Sequence, residues 1–129
     1  MVLDTSALLA LLLDEPEAEE FRAAVEDDMA RLVSAATLLE TALVIEARKG
    51  DPGGRELDSL IHKAEIVVVA VDLEHVSEAR RAYRRFGKGR HAAGLNFGDV
   101  FAYALARTSG EPLLFKGGDF AKTDISRVT

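Results

Sequence analysis

Short apolar segments alternate with helical segments along this sequence, and that order constrains the fold more than any other feature. Four segments have the length and composition of buried strands: residues 1–4, 31–34, 66–71 and 112–115. A small edge strand is also predicted at residues 125–128. Alternating strands and helices are typical of α/β proteins, in which helices cover both faces of a mostly parallel sheet. We therefore predict an α/β three-layer sandwich, with a mostly parallel central sheet of four to five strands flanked by helices.

The helices between these strands are defined by apolar periodicity and by their end signals. Ser6 is a good N-cap for the first helix, which ends before Pro16 because a residue preceding proline avoids the helical conformation. Segment 66–71 is β-branched and apolar on both faces, which predicts a central strand. The remaining predicted helices cover about 17–29, 34–49, 56–65, 73–86 and 96–107.

Length and composition exclude several classes of protein. The chain has 129 residues, which is the size of one compact domain, and no segment is long enough to separate two. It contains no cysteine, which excludes a disulfide framework, thiol catalysis and cysteine-ligated metal sites. The apolar run at 7–13 is shorter than the ~20 residues that span a bilayer, and it lacks the basic start of a signal peptide. We expect a cytoplasmic protein.

The basic residues are concentrated in one segment, although the formal net charge is −6. Because salt screens charges beyond about 10 Å, a local cationic segment binds phosphate groups even on an acidic protein. The alternative interpretation is a solvated helix face, and the sequence leaves both open. The basic segment consists of Arg80, Arg81, Arg84, Arg85, Lys88 and Arg90, with no acidic residue among them.

Several carboxylates occupy positions that a folded chain normally avoids. Asp4 ends the first predicted strand, at the sheet edge where parallel sheets bind ligands, although an aspartate there also caps helices. Glu40 and Glu46 both lie near apolar residues of their helix, and periodicity does not distinguish between them. Burial of an unpaired carboxylate is costly, so the alternative is an ion pair with Arg48 or Lys49.

Two further acids lie in the C-terminal third. Asp99 is three residues after Asn96, on the first turn of an apolar helix, where it either satisfies the helix N-terminus or faces a cleft. Asp119 follows the predicted strand 112–115 across the Lys-Gly-Gly sequence at 116–118. Crowded carboxylates repel each other unless a cation holds them, and ligation by oxygen alone favours Mg²⁺ or Mn²⁺ over zinc.

Four short motifs follow one another along the chain: MVLDTSA at 1–7, LLETA at 38–42, GLNFGD at 94–99 and PLLFKGGDF at 112–120. In this order, and spanning nearly the whole sequence, they resemble the PIN-domain ribonucleases and, among these, the VapC toxins of bacterial toxin–antitoxin pairs. The resemblance implies one PIN-like domain over residues 1–129.

The resemblance also implies a site for Mg²⁺ or Mn²⁺ and selects Glu40 over Glu46. Many relatives carry a threonine and an acid directly after the last strand, where this chain has Phe-Lys-Gly at 115–117. Either Asp119 takes that role from further along the chain, or the fourth acid is dispensable. The implied ligands and catalytic acids are Asp4, Glu40, Asp99 and Asp119. The implied supporting residues are Thr5, Ser6, Asn96 and Lys116, and the first three serve equally well as helix caps.

The activity that the resemblance implies is metal-dependent hydrolysis of RNA phosphodiester bonds, which leaves a 5′-phosphate and a 3′-hydroxyl. The basic segment then becomes a candidate for binding the RNA backbone. A homodimer is implied, together with a VapB-type antitoxin that sends an arginine into the acidic site.

Two other classes remain open at this point. A catalytically silent PIN-like module would bind RNA or protein without cleaving it, although such a module has no reason to retain buried acids. A phospho-acceptor receiver domain requires an acidic pair after its first strand, where this sequence has Asp4 alone.

Overall fold

The structure, a computed structural model, describes residues 1–129. Its sheet contains four parallel strands, β1 (Val2–Leu3), β2 (Leu32–Ser34), β3 (Val67–Val69) and β4 (Leu113–Leu114). Their order across the sheet is β3-β2-β1-β4. Val2 pairs with Leu32 on one side and with Leu113 on the other, so the first strand lies in the interior of the sheet.

Helices cover both faces of this sheet. They are α1 (Thr5–Leu12), α2 (Ala18–Asp27), α3 (Ala35–Lys49), α4 (Asp51–Lys63), α5 (Leu73–Phe86) and α6 (Asp99–Ser109). None of them is both long and apolar enough to cross a membrane.

The side chains of the central strands are divided between two apolar clusters, because successive residues of a strand point to opposite faces. Val2 packs with the residues of α5 and α6, whereas Leu3 packs with those of α1 and α2. The predicted three-layer α/β sandwich is therefore confirmed.

The two edges of the sheet differ from the prediction. Segment 66–71 was expected to form a central strand, but β3 covers only Val67–Val69 and lies at the edge, where Val67 is 56% exposed. Its β-branched composition favours an extended backbone but does not specify a place in the sheet. At the opposite edge, the predicted strand 125–128 is reduced to one parallel bridge between Leu113 and Arg127. The sheet thus has four strands, the lower of the two numbers predicted.

The connection between α3 and α4 is shorter than the sequence suggests. Gly50 adopts a left-handed conformation with φ of 66°, and α4 begins at the next residue instead of at the predicted position 56. Pro52 is accommodated because the first turn of a helix needs no backbone N–H donor. Gly53 allows the two helices to approach closely, since a Cβ there would lie 2.7 Å from the carbonyl oxygen of Ile45.

Candidate active site

Asp4 lies where β1 ends and α1 begins. It is the N-cap of α1, and its Oδ2 accepts hydrogen bonds from the Ser6 backbone N–H at 3.0 Å and the Ser6 hydroxyl at 2.7 Å. The residue is only 4% exposed. Burial raises the pKa of the Asp4 carboxyl; the Ser6 hydrogen bonds oppose this rise, and the charge of Glu40 adds to it. The side chain therefore has another carboxylate nearby.

Glu40, on the second turn of α3, is held near Asp4 by the first residue of α1. The Thr5 hydroxyl donates a 2.5 Å hydrogen bond to Glu40 Oε1. Thr41 Oγ1 lies 3.3 Å from Thr5 Oγ1 and donates to the carbonyl oxygen of Thr37 at 2.8 Å. Because an ionised carboxylate can only accept hydrogen bonds, the Thr5 proton is directed at Glu40.

The structure distinguishes Glu40 from Glu46 by their burial and contacts, whereas periodicity alone did not distinguish them. Glu40 is half-buried, whereas Glu46 is exposed near the end of α3. The alternative of an ion pair between Glu40 and Lys49 is not observed, because Lys49 pairs with Glu56 at 3.2 Å. Arg48 forms no ion pair either. The Glu40 carboxylate is thus free of any cationic partner.

Asp99 is the first residue of α6 and exchanges hydrogen bonds with Asn96. The Asn96 backbone N–H donates to Asp99 Oδ2 at 2.9 Å, and the Asp99 backbone N–H donates to Asn96 Oδ1 at 3.0 Å. Burial raises the pKa of the Asp99 carboxyl to about 6. The Asn96 hydrogen bond opposes this rise, and the charges of Asp4, Glu40 and Asp119 add to it. Asp99 therefore takes part in the hydrogen bonds at the start of α6 and also lies within electrostatic reach of the other three acids.

Asp119 lies at the margin of this acid cluster, which we define as Asp4, Glu40, Asp99 and Asp119. It is exposed and precedes a 3-10 turn at Phe120–Lys122. No three of these side chains have their oxygens directed at one point where an ion could bind. The carboxylates of Asp4, Glu40 and Asp99 instead accept hydrogen bonds from protein donors. The available donors are all carboxylate oxygens, a set that fits a hard divalent cation such as Mg²⁺ or Mn²⁺.

Ser6 links the acid cluster to the end of β4. Its hydroxyl donates to Asp4 and accepts a 2.9 Å hydrogen bond from the Lys116 backbone N–H. The Lys116 side chain does not reach the cluster. Its Nζ is 2.7 Å from Glu15 Oε2 and 3.3 Å from Glu17 Oε2, both between α1 and α2. Lys116 therefore contacts Ser6 through its backbone alone.

All six residues of the predicted basic segment are exposed, but only some of them form ion pairs with acidic side chains. Arg81 pairs with Glu78 at 2.7 Å. Arg85 pairs with Asp124 at 3.2 Å and lies over the Phe86 ring. The residues without an acidic partner are Arg80, Arg84, Lys88 and Arg90.

Sequence reasoning missed two residues at the site, Gly98 and Thr41. Gly98 directly precedes Asp99 and contacts the Glu40 carboxylate. Thr41 is fully buried one turn after Thr37, another buried threonine. The detectable signals were a glycine immediately before a first-turn acid and two hydroxyl groups four residues apart in an apolar helix.

Comparison with known proteins identifies the family. A sequence profile of the PIN domain matches residues 1–126. Ribonuclease VapC30 of Mycobacterium tuberculosis is 63% identical over 128 residues, covering 99% of this chain and 98% of that protein. Ribonuclease VapC of Mycolicibacterium smegmatis is 60% identical over 128 residues, covering 99% of each.

Two solved structures share the fold. The crystal structure of Mycobacterium tuberculosis VapC20, described as a sarcin–ricin loop cleaving toxin, has a TM-score of 0.77 and 18% identity, covering 96% of this chain and 95% of that one. A toxin–antitoxin complex from Klebsiella pneumoniae has a TM-score of 0.69 and 16% identity, covering 95% and 92%. With the sequence matches, these findings confirm the resemblance noted above: this chain belongs to the PIN domain family and, within it, to the VapC ribonucleases.

Proposed function

We propose that this protein is a divalent-metal-dependent endoribonuclease that acts as the toxin of a VapBC toxin–antitoxin pair. In this proposal Asp4, Glu40 and Asp99 hold the metal, with Asp119 as the fourth acid. The observation that carries it is the convergence of acids from separate elements: burial raises the pKa of Asp99, and the charges of Asp4, Glu40 and Asp119 add to that rise. Repulsion of this kind is relieved by a bound cation.

A bound Mg²⁺ or Mn²⁺ supplies an acidified water and neutralises charge on the scissile phosphate and the leaving oxygen. The chain's own residues orient the acids for this purpose. Ser6 fixes Asp4 with two hydrogen bonds, and Thr5 holds Glu40 with one. The Asn96 N–H holds Asp99. The geometry is thus set by donors on the first turn of α1 and in the loop before α6.

The basic segment is proposed to bind the RNA backbone, with unequal contributions from its six members. The four residues without an acidic partner contact phosphates, whereas Arg81 and Arg85 are held by Glu78 and Asp124 and act mainly through their charge. Phosphate contacts position a substrate but do not read its sequence. This surface therefore supplies affinity rather than base recognition.

The proposal has four further parts. The protein binds a VapB-type antitoxin and forms a homodimer. It is a single domain over residues 1–129 and is located in the cytoplasm. A groove of about 490 Å³ between α1, α2 and α4 supports docking of an antitoxin helix; its apolar lining includes Leu11, Val25 and Leu60. An antitoxin arginine that enters the acid cluster would take the place of the metal as counter-ion. Co-purification with the product of a small neighbouring reading frame tests the partner.

The activity is tested with single-stranded RNA in Mg²⁺, in Mn²⁺ and in EDTA. Cleavage is expected only with the metals, with products carrying 5′-phosphates. Glu40→Gln and Glu46→Gln form a matched pair, because both acids are on α3 but only Glu40 lies in the acid cluster. We expect Glu40→Gln to lose cleavage and to weaken Mn²⁺ binding in calorimetry, whereas Glu46→Gln behaves as wild type. Cleavage that persists in EDTA contradicts the metal mechanism, and metal-loaded protein that binds RNA without cleaving it supports a silent module.

A further inference from the structure

Two acidic residues that lie outside the acid cluster hold the side chain of Lys116. Its Nζ is 2.7 Å from Glu15 Oε2 and 3.3 Å from Glu17 Oε2, and we call these three residues the brace. Their side chains are partly buried, with 34% of Lys116, 30% of Glu15 and 35% of Glu17 exposed. The brace joins the end of β4 to the connection between α1 and α2, across 101 residues of sequence.

The acids of the brace lie on a well-defined corner of the chain. The Glu15 backbone N–H donates to the carbonyl oxygen of Ala10 at 3.0 Å, and the Glu15 carbonyl oxygen accepts from the Ala18 N–H at 2.9 Å. Glu17 Oε2 is buried and accepts no hydrogen bond, and its ion pair is with Lys116. Because a buried carboxylate oxygen is costly unless a cation compensates its charge, Lys116 is held at this corner.

The backbone of Lys116 is the point at which the loop after β4 is attached to α1. Its N–H donates to Ser6 Oγ at 2.9 Å. The next two residues, Gly117 and Gly118, do not pack against the fold, because a Cβ at either position would meet no atom within 4 Å. The side chain of Lys116 therefore determines where this loop lies relative to α1.

The bond from Lys116 fixes the orientation of the Ser6 hydroxyl. A backbone N–H only donates and an ionised carboxylate only accepts, so the Ser6 hydroxyl accepts from Lys116 and donates to Asp4 Oδ2 at 2.7 Å. The Ser6 backbone N–H donates to the same oxygen at 3.0 Å. Hydrogen bonds in a chain polarise one another, so the bond from Lys116 strengthens the bond to Asp4 as well as orienting it.

We propose that Glu15 and Glu17 are positioning residues for the active site: through Lys116 they hold Ser6 in the orientation that directs the Asp4 carboxylate for metal binding. The inference rests on the proposed metal-dependent function and extends the site to residues outside the acid cluster. A positive charge near a cation site by itself opposes metal binding. Any gain in metal affinity that Lys116 provides therefore comes from the position it imposes on Ser6.

The test measures Mn²⁺ affinity by calorimetry in Lys116→Met, in Lys116→Arg and in the double variant Glu15→Gln with Glu17→Gln. Loss of charge alone would strengthen Mn²⁺ binding in Lys116→Met, whereas we expect it to weaken about tenfold, the lower end of the range for groups that orient metal ligands. The double variant should weaken it similarly. Lys116→Arg retains a positive charge between the two acids and should restore most of the affinity. Lys122→Met is the matched control, since Lys122 is exposed and lies outside the brace.

A double-mutant cycle with Ser6→Ala determines whether Lys116 acts through Ser6. Ser6→Ala removes the hydroxyl but retains the backbone N–H that bonds to Asp4. In the Ser6→Ala background, Lys116→Met should cause no further loss of Mn²⁺ affinity, whereas independent effects would multiply. Because the brace is partly exposed, its variants should have melting temperatures close to that of wild type.

Amide hydrogen exchange of residue 116 in metal-free protein provides a second measurement that needs no activity. The Lys116 N–H is protected by its bond to Ser6. Its exchange should be faster than in wild type both in Ser6→Ala and in the double variant of Glu15 and Glu17. Exchange at this residue in Lys122→Met should equal that of wild type.

The outcomes separate this inference from the proposed function. A Lys116→Met variant that binds Mn²⁺ as tightly as wild type, or more tightly, overturns the inference and leaves the ribonuclease intact. If that variant also binds RNA more weakly in metal-free protein, with a salt slope smaller by about 0.7, Lys116 contacts phosphate instead. If residue 116 loses its protection in the double variant, but wild-type protein neither binds Mn²⁺ nor cleaves RNA, the proposed function is wrong while the support of Ser6 by the brace stands.

Discussion

Gly98 lies against the carboxylate of Glu40, so closely that a Cβ placed on Gly98 would be 2.0 Å from Glu40 Oε2 and 2.7 Å from Glu40 Cδ. The backbone of Gly98 has φ of −67° and ψ of −39°, a conformation open to any residue. Glycine is therefore required here for space and not for backbone freedom. Because Asp99 is the next residue, this contact also determines how closely the acids of α3 and α6 approach each other.

Replacement of Gly98 by alanine is expected to displace the Glu40 carboxylate and to open the acid cluster. Loss of a residue that orients a metal ligand typically costs about 10- to 100-fold in metal affinity, and we expect Mn²⁺ binding in calorimetry to fall within that range. Gly118→Ala is the matched control, because a Cβ at Gly118 meets no atom within 4 Å. If Gly98→Ala binds Mn²⁺ as tightly as the control does, Glu40 is not held by this contact.

The stability of the metal-free protein is expected to decrease as the pH rises from about 5 to about 7. Burial raises the pKa of Asp99 from 3.8 to about 6 in the folded state. A carboxyl whose pKa is raised on folding binds protons more tightly in the folded state than in the unfolded state. Its stabilising contribution is therefore complete below about pH 4 and is lost as the pH passes through about 6. The raised pKa of Asp4 acts in the same direction.

This pH dependence is measured by thermal unfolding in EDTA. Asp99→Asn should reduce the change in melting temperature between pH 5 and pH 7, whereas Asp58→Asn, at an exposed position of α4, should behave as wild type. Adding Mn²⁺ at pH 7 should raise the melting temperature of wild type more than that of Asp99→Asn. A melting temperature of metal-free wild type that stays constant over this range argues against a raised pKa at the cluster.

The two halves of the basic segment are expected to differ in RNA binding. For single strands, each phosphate contact contributes about 0.7 to the slope of log affinity against log salt, so Arg80→Ala with Arg84→Ala should reduce that slope by about 1.4. Arg81→Ala with Arg85→Ala removes the same charge from residues already paired with Glu78 and Asp124, and should change the slope less. Equal slopes in the two double variants contradict specific phosphate contacts by Arg80 and Arg84.

Local signals predicted most of the secondary structure. The bounds predicted for α5 match those observed, because Asp72 caps its start and a strong apolar stripe marks its length. The reciprocal bonds of Asn96 and Asp99 follow the spacing of a helix cap, although the helix itself begins at Asp99 and not at Asn96. Such features depend on residues within one turn of each other, and the sequence contains all of that information.

Features that depend on distant residues were less predictable. The edge position of β3 depends on which strands pair with β1, and the valines of β3 do not by themselves determine that pairing. Glu40 and Glu46 have similar surroundings on α3, and only the contacts of Glu40 with Thr5 and Gly98, from other parts of the chain, separate them. The resemblance to a family supplied this distinction in advance, whereas periodicity did not.

Tyr103 ties the C-terminal segment to α6 through a hydrogen bond to a carboxylate. The buried Tyr103 hydroxyl donates to Asp124 Oδ1 at 2.5 Å, and Arg85 approaches Asp124 Oδ2 at 3.2 Å. Burial, followed by the bond to Asp124, raises the pKa of Tyr103 to about 12. The pKa of the Asp124 carboxyl is lowered. Partial burial acts to raise it, but the hydrogen bond from the Tyr103 hydroxyl and the charge of Arg85 outweigh burial.

Tyr103→Phe is therefore expected to reduce the free energy of unfolding by about 1–2 kcal/mol at pH 7, measured by urea denaturation. A carboxyl whose pKa is lowered on folding stabilises the protein above its unfolded value and loses that contribution as the pH falls. The difference between wild type and Tyr103→Phe should accordingly shrink below about pH 4. Tyr83→Phe, which removes the hydroxyl of an exposed side chain, should leave the stability unchanged. A Tyr103→Phe variant that is as stable as wild type at pH 7 would mean that packing of the ring, which the variant retains, and not the bond to Asp124, holds the C-terminal segment in place.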